Sequence, residues 1–218
     1  MKPQLLLLTG GINHDFDHAR RRLTDLLSPS FDVAATTDVK DLGQLSDDHF
    51  AAAVIFTCEK LHEPPPPEVS EVFEAVTRFV EGGGGLVLIH SAITSFADRP
   101  AWKRLIGAEM AGGTLDQRYM LAWDDAKHPV VAGVEPWEID DEHYQLTVPR
   151  RGQFIGPAPG SWVFASSLWQ GQRYVFGYER IVDRGRIIAL AAGHRSATLD
   201  DVRYGKLIQQ AARHAAKE

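Results

Sequence analysis

The sequence predicts an α/β fold, a mainly parallel sheet with helical crossovers and a β-rich insertion. Short, largely apolar runs at residues 5–8, 51–57, 86–89 and 186–191 read as strands buried on both faces. Stretches of helical period separate the first four strands, which argues for crossover connections and parallel pairing. After Trp102 the pattern breaks into turns and short β-like pieces before the run at 186–191 restores a buried strand.

Taken in order, the leucines at 5–8 end in Thr9-Gly10-Gly11, and Asn13 is placed to cap the helix that follows. Phe16, Ala19, Leu23, Leu26 and Leu27 recur at helical spacing until Ser28-Pro29 stops them. Residues 31–36 read as an edge strand and 51–57 as a buried one. The prolines at 64–67 suit a helix entry, with Glu68, Glu71 and Glu74 at its positive end. Val69, Val72, Phe73, Val76, Phe79 and Val80 form that helix's apolar stripe, and the glycines from Gly82 end it. Short strands are expected at 118–123, 138–140, 162–166 and 174–178, as a β-rich region over the carboxyl edge of the sheet. A last helix carries Leu207, Ile208, Ala211, Ala212 and Ala215.

At 218 residues, the chain suits one domain spanning 1–218. The single cysteine, Cys58, excludes a disulfide framework. A net charge of -6 argues against a nucleic-acid partner, and no run reaches the ~18 apolar residues of a membrane span. The four amino-terminal leucines are too few for a signal peptide's apolar core of ~7–15 residues, so a cytoplasmic protein is expected. The β-rich region and the alanine-bearing last helix each offer a surface for a homodimer.

In open α/β sheets, ligands bind beyond the carboxyl ends of the strands. There this chain places Gly10, Gly11, His14 and Asp15 after the first strand, His90 and Ser91 after the fourth, and His194 after the last. Histidine serves there as acid, base or neutral metal ligand. The segment Asp140 to Tyr144 adds Asp141, Glu142, His143 and Tyr144. Strand alternation sends Asp141 and His143 to one face, and Glu142 and Tyr144 to the other. Such carboxylates can orient an imidazole, hold a metal or bind sugar hydroxyls.

Other chemistries fit poorly. Ser91 lacks the glycine frame of a nucleophile elbow, and Gly82 to Gly85 precede a strand without the lysine of a phosphate loop. No close histidine or cysteine pair exists, so a metal site must come from distant segments.

The motifs "TGGINHD", "FVEGGGGLVLIHSA", "W-x-x-L-I-G-A" from Trp102, "DEHY" from Asp141 and "GRIIALAAGH" ending at His194 occur in the order found in the trehalose-utilisation, or ThuA-like, family. The chain resembles that family over nearly its whole length. The resemblance implies a flavodoxin-like three-layer sandwich similar to class I glutamine amidotransferases, with an added β region. It implies a role in catabolism of trehalose or related disaccharides, on a sugar or oxidised sugar, and it is compatible with a divalent metal. Thiol amidotransferase chemistry is not expected, because His90-Ser91 stands where those enzymes keep a cysteine. The resemblance carries over His90, His194, Asp141 and Glu142 as catalytic candidates and His14, Asp15 and Tyr144 toward a small sugar ligand, to which the strand-end reading adds Gly10, Gly11 and Ser91. Two departures stand out: Ala111-Gly112-Gly113 and Gln172-Arg173 replace histidines common in the family.

The leading expectation is a sugar isomerase, hydratase or hydrolase using histidine acid/base or metal chemistry, with Trp102 or Trp123 stacked on the sugar. The alternative is a non-catalytic sugar-binding or regulatory module of the same fold. A serine or cysteine hydrolase using Ser91 or Cys58 is a third.

Overall fold

The computed structural model describes residues 1–46, 48–59, 67–96, 99–147 and 160–218, without the side chains of 67–70. The prolines at 64–66 and the side chains of Glu68 and Val69 therefore lie outside the described residues. Nine strands follow in chain order: β1 (Gln4–Gly11), β2 (Asp32–Thr36), β3 (Phe50–Cys58), β4 (Gly85–Ile89), β5 (Glu109–Trp123), β6 (Glu138–Thr147), β7 (Trp162–Trp169), β8 (Gln172–Val182) and β9 (Gly185–Leu190). The helices are α1 (Phe16–Leu27), α2 (Pro67–Gly82), α3 (Pro100–Ile106), α4 (Ser196–Asp200) and α5 (Val202–Ala215).

The expected mainly parallel, flavodoxin-like sandwich is not what forms. The sheet runs β2-β1-β3-β4-β9-β8-β6-β5-β7, and β7 also pairs with β8. Only β2, β1, β3, β4 and β9 pair in parallel. The antiparallel strands β5, β6, β7 and β8 are 15, 10, 8 and 11 residues long, against 8, 5, 9, 5 and 6 for β1, β2, β3, β4 and β9. Antiparallel pairing thus holds more of the strand structure. It closes on itself, since β5 pairs with β6 and β7, and β8 pairs with β6 and β7, making a small barrel.

That barrel is no insertion above the sheet. It is joined edge-on through β8, whose Gly177 to Val182 segment pairs with β9 from Leu190 back to Gly185. The sequence hid it because β5 has only two buried positions, Tyr119 and Leu121, in its 15 residues. An apolar pattern that sparse marks no long strand.

The parallel half follows its sequence signals. Leu5, Leu6, Leu7 and Leu8 are buried, and each stabilises the fold by roughly 1.5–3 kcal/mol over exposure. Edge strand β2 is mostly exposed. Helix α1 is capped by Asp15, which accepts from the His18 amide at 2.9 Å, rather than by Asn13. Asn13 instead takes a left-handed conformation, φ 70°, that asparagine tolerates, and this lets the chain bring His14 over the sheet before the helix starts. Helix α2 ends at Gly82, where the Gly83 amide donates to the Val80 carbonyl at 2.9 Å. Helix α5 packs against β4, β9 and β3 with Leu207, Ile208, Ala211, Ala212 and Ala215 buried.

Trp102 is fully buried between Phe73 and Phe96, and Trp123 packs on Trp137 while donating to the Val134 carbonyl at 2.6 Å. Trp102 is thereby closed off from any sugar, whereas Trp123 stays half-buried. Among the described residues, no helix is long and apolar enough to cross a membrane.

Candidate active site

Three strand ends and one mid-strand residue build a single centre. His14 follows β1, His90 follows β4, His194 follows β9, and Glu142 points inward from β6. One ligand-type atom from each of these four lies within 4.8 Å of the others. The ring centroids of His14 are 5.2 Å from those of His90 and 4.7 Å from those of His194. Tyr144, two residues along β6 from Glu142, stacks on the His90 ring at 4.4 Å and 20°.

His90 is held in an unusual way. Its backbone has φ 49°, a left-handed conformation that an ordinary residue adopts only at a cost of about 1–3 kcal/mol. This strained turn at the end of β4 swings the imidazole into the centre, where it is fully buried. Its Nδ1 donates to the Ala191 carbonyl at 2.8 Å. His14 is pinned alike, its Nδ1 donating to the Ile12 carbonyl at 3.1 Å.

A carbonyl only accepts, so both Nδ1 atoms carry the hydrogen. In the neutral rings both Nε2 lone pairs then point inward. Neither Nε2 has a hydrogen-bond partner, and neither does Nδ1 of His194. Glu142 Oε2 nevertheless lies 3.1 Å from His90 Nε2 and 3.1 Å from His194 Nδ1, off any hydrogen-bonding direction. With their rings neutral, His14 and His90 thus turn acceptor nitrogens toward the Glu142 carboxylate, an arrangement that a cation among them, or a proton shared with Glu142, relieves.

The charges follow from this crowding. Burial pushes the His14 imidazole down to about 4; the Ile12 carbonyl opposes this, and the neighbouring His90 and His194 add to it. Burial alone would push the Glu142 carboxyl up, but His90, His194 and His14 outweigh it and hold it below its usual range. Tyr144 is pushed upward by burial and by the Glu142 charge, so its phenol keeps its proton. Three imidazole nitrogens and one carboxylate oxygen, with carbonyls fixing two tautomers from behind, suit a borderline divalent cation such as zinc.

The remaining candidates sit elsewhere. Asp141 is fully buried, and its oxygens accept from the backbone amides of Gly193 and His194, each at 3.0 Å. Asp15 is spent as the α1 cap. Gly11 is where β1 passes so near β3 that a Cβ would lie 2.4 Å from the Cys58 carbonyl oxygen, and the Gly10 carbonyl accepts from Thr57 at 2.8 Å. Ser91 is buried and its hydroxyl contacts no base, which removes the support for a serine hydrolase. Gly113 lies over the centre, since a Cβ there would be 3.4 Å from Glu142 Oε1. That departure from the family pattern therefore touches the centre, whereas Arg173 pairs with Asp124 at 2.7 Å instead.

One cluster escaped the sequence reading. His128, Glu179 and His214 also bring ligand-type atoms within 4.8 Å. Here, however, the bonding is complete. His128 Nδ1 accepts from the Val130 amide at 3.3 Å, so its Nε2 carries the hydrogen and donates to Glu179 at 2.7 Å. His214 Nε2 lies 2.9 Å from the same oxygen, and Arg186 donates to the other at 2.9 Å. With a guanidinium already balancing the carboxylate, this network ties α5 to the barrel and leaves no lone pair for a cation. Its members lie far apart in sequence, so no spacing announced them.

The trehalose-utilisation (ThuA) family model matches residues 4–215. A ThuA-like protein from Parabacteroides merdae superposes with a TM-score of 0.75 at 20% identity, covering 99% of this chain and 90% of that one. One from Bacteroides uniformis gives 0.71 at 16% identity, covering 97% and 91%. A cytoplasmic protein from Salmonella typhimurium gives 0.68 at 13% identity, covering 97% and 99%. At these identities the likeness is one of fold. Among curated proteins, no relative matches.

Proposed function

Since the chain belongs to the ThuA, trehalose-utilisation family, we propose that it is a metal-dependent enzyme acting on a sugar or oxidised sugar at the centre formed by His14, His90, Glu142 and His194. The observation that carries this reading is the convergence of one ligand-type atom from each of the four residues within 4.8 Å: Glu142 Oε2 stands 3.1 Å from His90 Nε2, while His90 Nδ1 is committed to the Ala191 carbonyl. Nature rarely buries such a contact without a positive charge to resolve it.

His14, His90, His194 and Glu142 would hold the cation. When bound, it supplies Lewis-acid polarisation of a substrate carbonyl or hydroxyl oxygen. Two carbonyls hold the His14 and His90 rings in register from behind, and Tyr144 clamps the His90 ring from its face. The protonated phenol of Tyr144 is a hydrogen-bond donor for a sugar oxygen. Phe16 and Phe56, packed on His14, shield that imidazole on its apolar side.

The test is metal content of the purified chain, followed by a turnover screen of oxidised and unoxidised disaccharides with wild type and His90→Ala. Stoichiometric metal and turnover, both lost in His90→Ala, support the reading. Sugar binding without conversion, unchanged by the substitution, would sink it and leave the non-catalytic binding module.

A further inference from the structure

We infer that Asp141 is the positioning residue of this centre, a buried brace that sets which nitrogen His194 presents, and neither a ligand nor a catalytic group. The inference rests on the reading of the four-residue centre as a metal site. Asp141 and Glu142 are neighbours on β6, so strand alternation turns them to opposite sides. Glu142 faces the three imidazoles, and Asp141 faces the turn that follows β9.

Asp141 has no exposed surface, so no substrate reaches it. Its Oδ2 accepts from the Gly193 amide at 3.0 Å. Its Oδ1 accepts from the His194 amide at 3.0 Å and from the Glu142 amide at 2.7 Å. Three amide donors stabilise a carboxylate that would otherwise be costly to bury. They also fix three consecutive facts of the centre: where Glu142 leaves the strand, how Gly193 turns, and where the His194 ring begins.

The turn itself leaves little freedom. Gly193 has φ 130°, and a Cβ there would approach Ile89 Cγ2 at 3.1 Å and His90 Cβ at 3.3 Å. The backbone between β9 and α4 is thus wedged against the His90 turn on one side and bonded to Asp141 on the other. Held in this way, His194 directs Nδ1, the nitrogen nearer its own backbone, toward Glu142 Oε2 at 3.1 Å. A ring reaching in through Nε2 would need its backbone farther from the centre. The Asp141 brace is what denies that.

The experiment uses the full chain with Zn²⁺ as the probe. Wild type, Asp141→Asn and Glu179→Gln are compared by calorimetric Zn²⁺ binding, by thermal unfolding and by nitrogen-15 spectra of the His194 ring. The asparagine amide turns an N–H toward a backbone N–H, so Zn²⁺ affinity should fall by about tenfold or more, in the range lost with an outer partner of a metal ligand. The His194 ring signature should shift in the metal-free protein as well. Glu179→Gln breaks the other buried network, so it should lose stability and keep wild-type Zn²⁺ affinity. Asp141→Asn with wild-type Zn²⁺ affinity and an unchanged His194 signature, whatever its stability, overturns the inference. If wild type takes up no Zn²⁺, the metal reading fails, and the His194 signature of metal-free Asp141→Asn decides the inference alone. Should that variant not fold, Gly193→Ala strains the same turn with Asp141 intact, and the same two readouts apply.

Discussion

His90 Nε2 and Glu142 Oε2 lie 3.1 Å apart with no hydrogen bond between them, although His90 Nδ1 donates to the Ala191 carbonyl at 2.8 Å on the far side of the ring. With His90 neutral, that relationship sets a lone pair against a carboxylate in the metal-free centre. Glu142→Gln replaces a charged acceptor by a group that can donate to a histidine lone pair. The metal-free variant should therefore gain roughly 1 kcal/mol of stability, while Zn²⁺ affinity drops at least about tenfold. Chemical denaturation with and without chelator reads both effects. A metal-free variant less stable than wild type would show that a protonated imidazole pairs with Glu142.

His90→Ala removes one of the four proposed ligands. Zn²⁺ affinity should fall by more than about 100-fold, beyond the usual cost of losing an outer partner. Because alanine must still adopt φ 49° in the same strained turn, the variant should also fold less stably. Adding back His90→Gly, which relaxes the backbone, should recover stability and none of the metal. Recovery of metal binding in the glycine variant would remove His90 from the centre.

Glu179 supplies a pH prediction. Burial pushes its carboxyl up, but His128, His214 and Arg186 outweigh burial and hold it well below its usual value of 4.5. A depressed carboxyl contributes stability that is present above 4.5 and lost as pH falls through its lower folded value. Glu179→Gln should cost roughly 1–3 kcal/mol at neutral pH, because the half-buried Arg186 and the two imidazoles lose a charged acceptor. The gap to wild type should narrow as pH drops below 4.5. Unfolding free energies across an acid series check this, and a constant gap contradicts it.

Gly185 tests the join between the two halves of the sheet. A Cβ there would lie 1.9 Å from the Val80 carbonyl oxygen, so the turn from β8 into β9 passes too near α2 for any side chain. Gly185→Ala should lose at least about 2 kcal/mol, read by thermal unfolding.

Much of the parallel half was legible because its strands are buried on both faces. Leu5 to Leu8, Leu86 to Ile89 and Arg186 to Ala191 announce themselves as largely apolar runs, and their ends name His14, His90 and His194 without any tertiary information. Glu142 and Tyr144 were likewise placed on one face by strand period alone. The closed antiparallel barrel was not legible, since β5 exposes most of its length and its pairing with β6 and β7 is set by partners far along the chain.

What the sequence determined by itself is therefore a set of side chains at strand ends and the family to which the chain belongs. The tertiary structure alone decided their roles. The acceptors that orient His14 and His90 are the carbonyls of Ile12 and Ala191, and the donors that occupy Asp141 are the amides of Gly193 and His194. Backbone groups are the same at every position, so no pattern of residues can signal which of them will face an imidazole or a carboxylate. Only folding brings them there, and their direction separates a centre with lone pairs to spare from the His128, Glu179 and His214 network, which has none.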